Sequence, residues 1–251
     1  MWKVWGDCLV SINDEERVLS SFTNGFQLRS LLVATKGESS FQSNHLAQII
    51  HDAGFLRSLE SAQLLKKDGN QLNFPGYAKI RVAIRALQLG EPNRPILTAL
   101  TWQEFEEFVA HVLTFHDFTV LHRFRFSTNR RFEIDIVAHR QSVLLCIDCK
   151  QYGVRSGKAS SLRTAAEEQL HRTKVLADNF ARFQANLGCL DTAHPVLIPL
   201  LVTMMNEDIL FHEQVPIIPA PLFNAFLLEY ERQRDSLRVV QPSSSRQSRL
   251  I

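Results

Sequence analysis

The 251-residue sequence lacks any apolar run near the roughly 18 residues that a membrane-spanning helix needs. Its best run, Pro195 to Met205, is short and holds two prolines, so no membrane partner is expected. The start, MWKVWGDCLV, has one lysine, then Asp7, and no small-residue cleavage pattern, so no signal peptide is expected; with the cysteines read as buried strand residues, a cytoplasmic location is expected. Cysteine is scarce, at Cys8, Cys146, Cys149 and Cys189. Cys146 and Cys149 form a C-x-x-C, but inside VLLCIDCK, which reads as a buried strand. Residues three apart in a strand point to opposite faces, and no second pair follows, which argues against zinc or redox chemistry. No internal repeat is present. Ser156-Gly157-Lys158 lacks the upstream glycine and preceding strand of a phosphate-binding loop. His111, His116 and His122 straddle a helix end and a turn and do not share a face. A chain that is 45% hydrophobic and 22% charged is neither disordered, collagen-like nor a coiled coil.

Excess charge is lacking as well: the formal net charge is +2. Its distribution is uneven. Leu121 to Arg163 carries nine Lys/Arg against three acids, Glu133, Asp135 and Asp148, which leaves +6 there and −4 over the rest of the chain. A local basic segment is the footprint of a phosphate-bearing ligand or a solvated face.

The Pro/Gly-rich connector Gly90 to Pro95 divides the chain into residues 1–95, 96–235 and a polar, disordered tail at 236–251. In the first part, helices are expected over Ser43–Ala53, capped by Ser43 or Asn44, over Phe55–Lys66 and over Tyr77–Leu89, with Gln71–Pro75 extended. Two helices about a glycine turn and an extended piece suit a winged helix or a small helical packing domain. No helix there shows a clear basic face. In the second part, Trp102–Phe115 is a helix with Phe105, Phe108, Val109 and Val112 on one face. Strands follow at Phe118–Phe126, Phe132–Ala138 and Val143–Lys150, then a helix over Ser161–Phe180, strands at Val196–Thr203 and Val215–Ile218, and a helix over Leu222–Arg232. This is an α/β order.

One constellation carries chemistry. Asp148 and Lys150 are two apart in a strand and share a face, and the hairpin before them brings Asp135 alongside. The strands are otherwise apolar. Two carboxylates and an amine there cost several kcal/mol unless paired or bound to metal. Two hard oxygens suit Mg²⁺, which lowers the pKa of a bound water, and a lysine can assist that water. An Asp148–Lys150 ion pair on a solvated edge is the structural alternative.

The series Phe105-Glu106, Glu133-Ile134-Asp135 and Asp148-Cys149-Lys150-Gln151-Tyr152 resembles the PD-(D/E)xK nuclease superfamily. It is most similar to the Mrr-type restriction endonuclease and archaeal Holliday-junction-resolvase branch, over about residues 100–230. The resemblance implies an α/β fold with a restriction-endonuclease-like core, a central mixed sheet flanked by helices. It also implies Mg²⁺-dependent hydrolysis of DNA, Mn²⁺ substituting, by a restriction-, repair- or junction-type endonuclease. Asp135 and Asp148 match the metal-binding acids and Lys150 the catalytic lysine. Glu106, in FEEFVAHVL, matches the helix acid and a third ligand, with Glu104 in reserve. Gln169 lies on an inward stripe with Leu162, Ala166, Thr173 and Leu176, where some members carry a motif glutamine. Arg130, Arg131, Arg155 and Lys158 are expected to grip the phosphate backbone. Ile134 replaces the usual Pro or Gly before the first acid, and Asn129-Arg130-Arg131 replaces a Gly-rich approach. DNA is the expected partner, with a homodimer allowed. A DNA-binding module on an inactive nuclease fold is the alternative.

Overall fold

Short helices separated by capping side chains build one part of the chain, and long apolar strands build the other. In a computed structural model of the protein, residues 19–38, 40–151, 158–188 and 194–243 are described. The chain divides into two units, Met1–Glu107 and Phe108–Ile251.

The first unit runs α1 (Gly25–Ala34), β1 (Ser40–Gln42), α2 (Ser43–Ile49), α3 (Ala53–Ser61), β2 (Lys66–Asp68), β3 (Gln71–Asn73), α4 (Ala78–Gln88), α5 (Asn93–Leu97) and the start of α6 (Trp102–Phe115). Its three strands pair antiparallel in the order β1-β3-β2. The helix expected to reach Ala53 stops at Ile49, and the next starts at Ala53. The cause is Asp52, whose Oδ1 accepts from Phe55 N at 2.9 Å and so starts a new helix there. Neither Ser43 nor Asn44 caps α2; Gln42 precedes it, with no side-chain cap. The second helix ends at Ser61, because Lys66–Asp68 turns back on Gln71–Asn73 as a hairpin. The connector at Gly90 to Pro95 leads directly into α5, and the division between units falls within α6. Leu28, Leu31, Leu32, Leu59, Val82, Ala83 and Ala86 form the fully buried centre of this unit.

The second unit continues with β4 (Thr119–Ser127), β5 (Arg131–Arg140), β6 (Val143–Lys150), α7 (Lys158–Asp178), α8 (Phe180–Phe183), β7 (Val196–Thr203), β8 (Phe211–His212), β9 (Val215–Pro219) and α9 (Ala220–Glu229). Its six strands form one mixed sheet in the order β4-β5-β6-β7-β9-β8. β4, β5 and β6 form an antiparallel meander; β6, β7 and β9 run parallel. A mixed α/β sheet flanked by helices is therefore the fold. β7 is buried at all eight positions, as a strand covered on both faces must be. Leu176, Ala177 and Phe180 pack on Ile134, Val137, Leu144 and Cys146.

The β4–β5 pair has one irregularity. Arg123 adopts φ 48°, a left-handed conformation that costs a non-glycine residue about 1–2 kcal/mol. It lies between the pairs His122–Ile136 and Phe124–Ile134, where the register would set it against Asp135. Beyond it the side chains change sides, so that Phe124 and Ile134 join the same cluster as Leu121 and Val137. Residues 236–243 follow the unit closely, against the expectation of a tail disordered from 236. Val240 and Leu197 exchange two backbone hydrogen bonds of 2.8 Å, and Ser243 donates to Asp178 Oδ1 at 2.8 Å. Residues 244–251 lie outside the described residues.

Candidate active site

The meander brings two carboxylates into the sheet. The β5–β6 ladder runs from Arg140–Val143 to Ile136–Ile147. The next position on each strand is an aspartate, Asp135 and Asp148. There the side chain replaces the ladder: Cys149 N donates to Asp135 Oδ2 at 2.8 Å. Asp148 is 2% exposed. Lys150, two residues on, reaches back so that its Nζ lies 2.8 Å from Asp148 Oδ2, an ion-pair contact without hydrogen-bond alignment. Burial pushes the Asp135 carboxyl up to about 6, and the Asp148 charge adds to the rise. The Cys149 amide, Lys150 and Arg172 oppose it.

Helix α7 roofs this pair. It connects the parallel strands β6 and β7, so it runs antiparallel to them. Leu162, Ala166, Gln169, Thr173 and Leu176 are all buried, as the inward stripe requires. Gln169 is 0% exposed, and neither its Oε1 nor its Nε2 has a hydrogen-bond partner. One turn on is Arg172, a residue that the sequence reading missed. Its Nη2 lies 3.5 Å from Asp148 Oδ1 and 3.9 Å from Glu168 Oε2, and its Nη1 donates to the Glu133 carbonyl at 3.5 Å. Its one available signal was position: it stands three residues after Gln169, at the border of the inward stripe.

Among the described residues, seven buried side-chain polar atoms lack a hydrogen-bond partner. Five of them belong to Asp148, Gln169 and Arg172. Orphaned groups of this kind each cost about 1–3 kcal/mol in a folded interior. They gather around one carboxylate, where Asp148 Oδ2 and Arg172 Nη2 have ion-pair contacts and the Gln169 amide has no hydrogen bond. No group of three or more His, Cys, Asp or Glu gathers among the described residues. Two aspartates suit Mg²⁺, which is held by one or two carboxylates and keeps several waters.

The remaining expected residues separate. Glu106 is buried on α6, in the first unit. Glu104 is committed elsewhere: its Oε2 accepts from Thr101 N at 2.7 Å and pairs with buried Lys79 Nζ at 3.0 Å, while Thr101 Oγ1 accepts from Glu104 N. That capping box commits Glu104 to the start of α6. Arg130 and Arg131 sit exposed at the β4–β5 hairpin end, Arg130 stacked 4.7 Å over Phe132. Arg131 is four residues from Asp135, roughly 13 Å along an extended strand. Arg155 and Tyr152 lie outside the described residues, as does the side chain of Lys158, which opens α7. Cys146 and Cys149 are free thiols; burial pushes Cys146 up to about 12, which keeps it protonated.

Residues 101–191 match the nuclease-related domain family, NERD. An uncharacterized protein of Archaeoglobus fulgidus is 35% identical over 129 residues, which are 51% of this chain and 90% of that protein. Two solved structures are distant likenesses. One is a Vibrio cholerae protein, 14% identical over 94% of this chain, with a TM-score of 0.32. The other is Can2 from Sulfobacillus thermosulfidooxidans in complex with cyclic tetra-adenylate, 10% identical over 87% of this chain, with a TM-score of 0.34. This chain covers 54% of each of those two.

Proposed function

From the premise that residues 101–191 carry a nuclease-related domain and that the chain belongs to one family with the Archaeoglobus fulgidus protein, we propose that it is a metal-dependent deoxyribonuclease. The proposed chemistry is that of PD-(D/E)xK endonucleases of the Mrr-like branch, acting in the cytoplasm. The observation that carries the reading is the buried carboxylate pair Asp135 and Asp148, with Lys150 and Arg172 in ion-pair contact with Asp148 and the Gln169 amide buried without a hydrogen bond.

Asp135 and Asp148 would hold Mg²⁺, or Mn²⁺ in its place, which supplies an activated water and neutralises charge on a phosphate oxygen. The Cys149 amide fixes one oxygen of Asp135 and leaves the other free to bind. Lys150 Nζ, 2.8 Å from Asp148 Oδ2, would donate to the attacking water or to the phosphate. The Gln169 amide offers a donor and an acceptor and would orient that water. Arg172 offers N–H groups to the charge that develops on phosphorus oxygens. Arg130 and Arg131 would hold the backbone away from the cut, with Arg155 and Lys158 assisting.

The test is a cleavage panel with Mg²⁺ and Mn²⁺ over linear, circular, flapped, four-way and methylated DNA. Wild type is expected to cut at least one substrate, and Lys150→Ala and Asp148→Ala to lose roughly 100-fold or more. Undiminished cutting by either variant would sink the mechanism. Binding without product from wild type under both metals would make the chain an inactive scaffold.

A further inference from the structure

We infer that the first unit carries a second DNA-contacting surface, a winged helix that docks on duplex DNA through α3 and the β2–β3 hairpin. The order α1-β1-α2-α3-β2-β3, with the sheet paired β1-β3-β2, sets two helices at a tight turn beside a protruding two-stranded wing. Phe55 and Leu59 anchor α3 inward. Its opposite stripe, Gly54, Arg57, Ser58 and Ser61, follows i, i+3, i+4, i+7 and is exposed throughout. Small or hydroxylated side chains with one guanidinium can enter a groove without apolar surface to hide. Every residue of the wing strand Lys66–Asp68 is exposed, and Gly69 takes φ 58° at its tip.

Charge selects the partner. No carboxylate among the described residues pairs with Arg57, Lys66 or Lys67. Of the nearby acids, Asp52 accepts from Phe55 N and Gln27 Nε2, at 2.9 and 2.8 Å, and also feels the Arg57 charge, while Glu60 is half-buried. Asp52 and Asp68 are the exposed acids beside three exposed cations. A helix about 10 Å across fits the roughly 12 Å major groove of B-form DNA, whereas the A-form major groove is too narrow for it. Two lysines on a wing then meet the flanking phosphates. No residue of the carboxylate site takes part, so this surface stands or falls independently of cleavage.

The test uses the full chain in EDTA with a labelled 24-base-pair duplex, read by anisotropy over a salt series. Lys66→Ala/Lys67→Ala is expected to lower the salt slope by about 2 and the affinity by about tenfold, and Arg57→Ala to add to the loss. Melting temperatures should stay at the wild-type value, since all three side chains are exposed. EDTA removes metal and with it cleavage, so a binding loss in these variants is read separately from the nuclease reading. An unchanged slope in the double variant would overturn the inference. So would a loss seen only with duplex RNA, or a changed sedimentation coefficient with unaltered DNA binding, which would make the face a contact between copies of this chain.

Discussion

Gln169→Leu separates a functional glutamine from a structural one. Gln169 is completely buried on α7, and both its amide atoms lack a protein partner. A buried group left in that state costs about 1–3 kcal/mol, and leucine of similar volume removes the cost while adding apolar burial. The metal-free variant is therefore expected to gain about 1–3 kcal/mol. For a domain of this size each kcal/mol moves the melting temperature by roughly 2–4 °C, so a rise of about 3–10 °C is expected. Gln169→Ala controls for shape: its cavity should cost about 2 kcal/mol and lower the transition. Calorimetry in EDTA measures both, and the cleavage panel then measures function, where Gln169→Leu should lose at least tenfold. A stabilised but disabled enzyme is the signature of a site held at the expense of the fold. A leucine variant that melts below wild type would show that the amide is structural. One that melts higher yet cuts normally would remove Gln169 from the mechanism.

Two further outcomes follow from the same cluster. Burial and the Asp148 charge push the Asp135 carboxyl up to about 6 in the folded chain, against 3.8 for an unperturbed one, so between those values the folded state binds more protons. In the metal-free protein this contribution to stability is therefore lost as pH rises from about 4 to about 6 and is flat beyond, by on the order of 3 kcal/mol. Asp135→Asn should remove the decline, and a variant-minus-wild-type stability difference that does not grow over that window refutes the assignment. Arg172 stands 3.5 Å from Asp148 and competes with any cation for its oxygen. Arg172→Met is expected to tighten Mn²⁺ binding several-fold in a calorimetric titration while slowing cleavage at least tenfold. Weaker metal binding would mean that Arg172 holds the carboxylate in place.

What the sequence exposed, and what it hid, divides along physical lines. β6, β7 and α6 are legible residue for residue, because an unbroken apolar run and a 3.6-residue stripe each have one solution. Asp135, Asp148 and Lys150 stand out because ionised groups are costly in such strands. β1 and β2 are hidden, since three residues carry no periodicity and their pairing spans distant chain, Ser40 with Asn73. The kink at Arg123 is hidden because arginine gives no hint of a left-handed φ. Charge misled most. Of the nine bases between Leu121 and Arg163, Arg125 is bound to Glu133 at 2.7 Å and Lys150 to Asp148 at 2.8 Å. Arg140 is bound to the His116 carbonyl, Tyr230 and Glu231 at 3.0–3.2 Å, with Phe118 beneath it. These three brace the fold or the site, and the bases left at the hairpin end are Arg130 and Arg131. The local +6 thus overstates the field that a phosphate backbone would meet. In the proposed function, recognition of a phosphate in this unit would come from placed groups, the carboxylate pair with Lys150, Gln169 and Arg172, and Arg172 lies outside the segment that the charge count picked out.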